Sequence, residues 1–187
     1  MDHWRREQLL LMINERGFYR QLEHAVALVQ QLGFDYYAFS FVAPTCSIKQ
    51  DNYPGQWTDH YRRREYCAID PVLAHCERSS FPLLWTPEAF ADAPQLWTDA
   101  QDHGLCRGWT QPFHGPNGQR SSLSVVRREL PISPKELYKK GAAVLWLVEA
   151  LHRSAAALFN DRDDHCAPEH AARGPMAGTR SSAAGDR

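Results

Sequence analysis

Apolar residues recur at three- and four-residue intervals over residues 5–16 and 18–32, a period that predicts a pair of packing helices. In the second, Leu22, Ala25, Val26, Val29 and Leu32 form one stripe and Gly33 supplies the stop. The period then changes to two. In FDYYAFSFV, Tyr37, Phe39 and Phe41 share one face while Tyr36, Ala38, Ser40 and Val42 share the other. Both faces are apolar or small. Such a strand belongs in a sheet covered on both sides, or covered on one and facing a cavity on the other.

Further along, Pro54 is placed to open a helix running to Tyr66, and Asp70-Pro71 to start another. FPLLW, from Phe81 to Trp85, reads as a short strand, and TPEAF as a helical turn capped by Thr86. Residues 94–103 read as a helix closed by Gly104. GWTQPFH, the turn GPNG and RSSLSVVRR form a hairpin pattern in which Asn117-Gly118 supplies positive-φ residues, and Pro112 predicts an edge or bulged position. In its second strand Ser122, Ser124 and Val126 alternate with Leu123 and Val125. Ser133 to Glu136 (SPKE) is a capping-box pattern opening a long helix striped by Leu137, Gly141, Val144, Leu145, Val148, Leu151, Ala155 and Leu158.

Composition bounds the foldable part. Residues 160–187 contain no Leu, Ile, Val, Phe, Tyr or Trp, so they cannot bury enough apolar surface to offset the entropy of ordering them. The expected organisation is one domain over residues 1–159 and a disordered tail over 160–187. A net charge of -1 gives no general attraction to polyanions, and Arg62, Arg63 and Arg64 read as a solvated helical turn. The apolar run Leu9 to Ile13 is too short for a signal segment or a membrane span, so a cytoplasmic chain is expected. Five irregularly spaced cysteines read as thiols in a reducing compartment.

The stretch NYPGQWTDHYRRREYCAIDP concentrates the chemistry. Tyr53, Trp57 and Tyr61 fall near one helical face, a row of aromatics with polar tips, and Asp70 follows nine residues after Tyr61. An indole N–H, phenol O–H groups and a carboxylate converging on one space suit a ligand with acceptors and an amide N–H. Spacing alone favours Asp70 as a helix cap and the aromatics as core, with a ligand pocket as the alternative. An enzymatic alternative would use Asp70, His75 and Cys76 or Cys67 as acid, base and nucleophile, but their spacing matches no motif. His165, Cys166 and His170 lack a partner set with metal-ligand spacing, so neither catalytic nor metal residues are assigned. An interaction module with a filled core is the third alternative.

NYPGQWTDHYRRREYCAIDPVL, LLWTPEAF, DHGLCRGWTQPFHGPNG and SSLSVV, in that order within residues 5–159, resemble the autoinducer-binding domain of LuxR-type quorum-sensing regulators. The resemblance implies an α+β fold, an α-β-α sandwich around a five-stranded antiparallel sheet, with an N-acyl-homoserine lactone between sheet and helices. In that likeness Trp57 would donate to the lactone carbonyl, Asp70 would accept from the amide N–H, and Tyr53 with Ser124 would hold the acyl carbonyl. Tyr61 and Trp85 would line the acyl and ring portions. No cofactor is implied beyond the lactone as ligand. Full-length relatives append a helix-turn-helix, which residues 160–187 are too few and too polar to build, so direct DNA binding is not expected. The expected partners are a second copy or a full-length regulator, met through the long helix. A mixed dimer or withheld ligand would then modulate transcription.

Overall fold

The computed structural model describes residues 4–164, with side chains through residue 159. Two helices, α1 (Arg6–Asn14) and α2 (Phe18–Gln31), lead into the strands β1 (Tyr36–Ala43) and β2 (Cys46–Asp51). Helices α3 (Gly55–Arg63) and α4 (Pro71–Arg78) precede β3 (Leu83–Leu84), and α5 (Pro94–Asp102) precedes the hairpin of β4 (Arg107–His114) and β5 (Arg120–Arg127). The chain closes with α6, Pro134–Asp164. All strand pairs are antiparallel, in the order β2-β1-β5-β4-β3, so the fold is the α+β sandwich on a five-stranded sheet that the resemblance implied.

Alternation along β1 and β5 decides what each face of the sheet meets. Tyr37, Phe39 and Phe41 of β1, with Leu123 and Val125 of β5 and Trp109 of β4, pack against α1, α2 and α6 in one apolar core. Tyr36 and Val126 turn the other way and join Trp57, Val72, Phe90 and Leu96 beneath α3, α4 and α5. Between these two contacts the second face carries Ala38, Ser40, Ser122 and Ser124, side chains too small to reach the helices, and a cavity results. Of the two placements that the β1 pattern allowed, the chain adopts the cavity-facing one.

Several boundaries differ from the sequence reading. The helix from Pro54 stops at Arg63 instead of Tyr66, because Glu65 adopts a left-handed conformation (φ 53°) and Tyr66–Ala68 form a separate 3-10 turn. Strand β2 carries no sequence signal, its CSIKQD alternating weakly at the sheet edge, where exposure on one side tolerates polar residues. Pro112 lies in a strand with neighbours on both sides, yet β3 pairs β4 only at Trp109 and Thr110, so β4 is an edge by the time it reaches the proline. Asn117 and Gly118 do take positive φ (56° and 73°).

In α6 the buried stripe is Val144, Leu147, Val148, Leu151 and Ala155, while Leu145 is 42% exposed. The helix also runs to Asp164, five residues into the expected tail, and the rest of that tail lies outside the described residues. The Ser133 hydroxyl caps the Glu136 N–H, but the Glu136 side chain does not complete the box. It takes a bidentate pair from buried Arg127 (2.8 and 2.7 Å) and a bond from Lys140, whose ammonium also caps α2 at the Leu32 carbonyl. Together these bonds lock α6 to β5 and α2. Among the described residues one helical stretch, Pro134–Phe159, is long and apolar enough to cross a membrane, and its stripe is spent on the sheet.

Candidate ligand-binding site

The cavity lies between the sheet and α3, α4 and α5, with about 110 Å3 in which a water-sized sphere can centre. A single water needs roughly 10–15 Å3 on that measure, so the space has room for more than one water-sized group. Phe90, Leu96 and Leu105 make an apolar wall opposite the serines of the sheet. Tyr53, Trp57, Tyr61, Asp70, Trp85 and Ser124 all reach its wall. The chain therefore gathers the six sequence-derived candidates in one place, from a loop, a helix, a cap, a strand end and a central strand.

Each is held by a local cause. Trp57 and Tyr61 are one helical turn apart on α3, their rings 5.6 Å apart. Asp70 has both roles that its spacing left open. One carboxylate oxygen accepts the Val72 N–H as the cap of α4 (2.8 Å), and the other accepts the Tyr61 hydroxyl at 2.8 Å. Burial pushes its pKa up, against the bonds from Tyr61 and Val72 and the field of Lys49. The phenols of Tyr53 and Tyr61 are likewise pushed up by burial and by neighbouring carboxylates, so both stay protonated donors. Ser124 interacts with the Tyr53 hydroxyl.

Trp85 rests on the sheet because Gly108 lies beneath it. A Cβ there would meet the Val125 carbonyl oxygen at 2.8 Å and the Trp85 ring at 3.4 Å. The Trp85 N–H is spent on Thr110 (3.0 Å), whose hydroxyl also bonds Ser124 at 2.8 Å. The Trp57 N–H, by contrast, donates to no group among the described residues. One rung along, Ser40 and Ser122 bond each other across β1 and β5 at 2.7 Å. Lys49 of β2 lies 5.3 Å from the Tyr61 ring at the cavity wall.

The family of autoinducer binding domains matches residues 20–155 of this sequence. The chain belongs to that family. The "HTH-type quorum-sensing regulator RhlR" of Pseudomonas aeruginosa is 34% identical over 137 residues, covering 70% of this chain and 55% of the relative. The "Regulatory protein SdiA" of Escherichia coli is 36% identical over 147 residues, 73% of this chain and 60% of the relative. This chain thus spans little more than half the length of those curated relatives. A solved structure of SdiA in complex with octanoyl-rac-glycerol superposes with a TM-score of 0.69 at 32% identity, covering 83% of this chain and 66% of that one. These relatives are regulators, a finding in keeping with a sensor rather than an enzyme.

Among the described residues no hydrogen bond links Asp70, His75 and Cys76 or Cys67 to one another. Burial pushes the Cys76 thiol up to about 11, so it stays protonated, and the His75 ring bonds the Phe81 carbonyl instead (2.8 Å). His165, Cys166 and His170 lie outside the described residues. Arg62, Arg63 and Arg64 are exposed.

Sequence reasoning missed two parts of this autoinducer-binding domain. Lys49 and Asp51 escaped because β2 was unrecognised and its register with β1 is what delivers them. A buried carboxylate behind Trp57, Asp99, escaped because its partners are scattered from His60 to His103 with no periodic signal.

Proposed function

We propose that the chain binds an N-acyl-homoserine lactone in the cavity, with Trp57 donating to the lactone carbonyl and Asp70 accepting from the amide N–H. Tyr53 and Ser124 hold the acyl carbonyl, and Tyr61 and the face of Trp85 line the acyl and ring portions. One observation supports this above the others: an indole N–H without a partner among the described residues and the Asp70 carboxylate, with acceptor capacity to spare, line the same cavity. A ligand acceptor meeting the Trp57 N–H would add roughly 1 kcal/mol and a ligand N–H meeting the spare acceptor capacity of Asp70 roughly 1.5–3 kcal/mol, so a ligand presenting both is favoured.

The finer reading concerns output. In this proposal the loaded chain modulates quorum-sensing transcription, either by pairing with a full-length regulator or by withholding ligand. Support comes from α6, which keeps Tyr138 (88%) and Leu145 exposed on the side away from the sheet. No catalytic step is assigned.

The test is purification with a panel of N-acyl-homoserine lactones of increasing chain length, followed by mass spectrometry of what co-purifies and by thermal melts. Octanoyl-glycerol belongs in the panel because a relative is seen with it. A chain-length-dependent rise in melting temperature is expected, and melts unchanged by every lactone would end the reading. Mixed-dimer formation is then followed by co-purification with a tagged full-length regulator, whose operator binding reads the output.

A further inference from the structure

The Trp57 ring is enclosed on several sides. His60 and Tyr66 lie against it with centroids 6.3 and 6.4 Å away, both inclined 29°, and His103 approaches to 5.5 Å. These three rings come from a helix, a 3-10 turn and a helix end, and one residue ties them together. Asp99, 8% exposed, accepts the Tyr66 hydroxyl (2.6 Å) and His60 Nε2 (2.5 Å) on one carboxylate oxygen. Gln95 Nε2 donates to the other oxygen at 2.5 Å, and His103 Nδ1 donates to the Asp99 backbone carbonyl at 2.7 Å. None of these residues lines the cavity. Burial works against the Asp99 charge, yet the bonds from Tyr66, His60 and Gln95 outweigh it and hold the carboxyl at about 2, so it remains an acceptor throughout.

We propose that Asp99 is a positioning residue for head-group recognition: by gathering His60, Tyr66 and His103 around the Trp57 indole, it fixes the direction of the one indole N–H that is without a partner among the described residues lining the cavity. A hydrogen bond weakens steeply when its donor is misaligned, so a fixed indole favours a head group with an acceptor at one position over an isosteric ring without one. The inference rests on the lactone reading above and adds a source of selectivity that never touches the ligand.

Two ligands separate positioning from general structural support: the lactone that most raises the melting temperature, and the N-acyl-cyclopentylamine of the same chain, which keeps amide and tail but lacks the ring carbonyl. Asp99→Asn is expected to weaken the lactone roughly tenfold and the cyclopentylamide less than about twofold. In a Trp57→Phe background Asp99→Asn should cost the lactone nothing more. Tyr66→Phe, which keeps the ring and removes one bond to Asp99, should act in the same direction with smaller size and serves if Asp99→Asn fails to fold. Equal losses for both ligands, or an undiminished loss in Trp57→Phe, would overturn the proposal. Without ligand, Asp99→Asn should shift the Trp57 indole N–H resonance of the 15N-labelled protein. A wild type that binds no lactone defeats the ligand reading, whereas an unmoved Trp57 resonance defeats the positioning.

Discussion

Asp70 is bonded as a cap and stands on a cavity wall at once, and the two duties can be separated by substitution. Asn caps helices as well as Asp does. Asp70→Asn should therefore leave the unliganded melting temperature nearly unchanged while weakening lactone binding roughly tenfold to hundredfold, since a charged acceptor is lost. Isothermal titration beside a thermal melt checks both halves. Gly108 makes a second residue-scale case. Gly108→Ala puts a methyl against the Val125 carbonyl and the Trp85 ring, so either β4 or Trp85 must move. We expect a loss of about 1–3 kcal/mol in stability, by urea unfolding, together with weaker ligand binding. At this scale much was legible in the sequence: Trp57, Tyr61 and Asp70 were found because helical spacing and an Asp-Pro start carry local signals. Asp99 was not, because nothing in its neighbourhood announces that His60, thirty-nine positions earlier, will meet it.

Among the elements, pH separates two fastenings of α6. His152 is buried beside Phe41 and Phe113 and bonds Ser121 at 2.9 Å. Burial and then Arg153 lower its pKa, with Glu149 opposing, so the folded chain holds it neutral while the unfolded chain takes up a proton first. Its contribution is complete above about pH 6.5 and is lost as pH falls from there. Glu136 is held at about 2 by the bond from Arg127, against burial and with help from Lys140. Its contribution is complete above about 4.5 and is lost on falling towards 2. Urea midpoints measured against pH should thus decline in two stages, and His152→Gln should flatten the first alone. Element type was readable where periodicity was long, as in α2, β1 and the β4–β5 hairpin. The α6 stripe was misread at one position because Leu145 and Leu147 both fit three- and four-residue spacings, and only the sheet chooses between them. Strand β2 escaped because an edge strand need not be apolar.

For the whole molecule, a polar cavity inside the second layer couples ligand to fold. A ligand that binds only the folded state at a hundredfold excess over its dissociation constant stabilises it by about 2.7 kcal/mol. For a chain of this size that corresponds to a melting-temperature rise of roughly 5–10 °C, measurable by calorimetry with and without lactone. The layered architecture was legible only through resemblance. Periodicity supplies elements and their faces, whereas the pairing of β1 with β5 joins residues from Tyr36 with Val126 to Val42 with Arg120, far apart in the chain, and leaves no local trace.

That pairing places the cavity and the long helix on opposite surfaces of the same two strands. Ser122 and Ser124 face the cavity, while Leu123 between them packs in the core that holds α6. The sheet is a diaphragm one residue thick: the backbone that carries the cavity serines also carries the leucine of the opposite core. A shift of that strand on the cavity side would need no relay of side chains to reach the far side, since consecutive residues of one strand already span the distance.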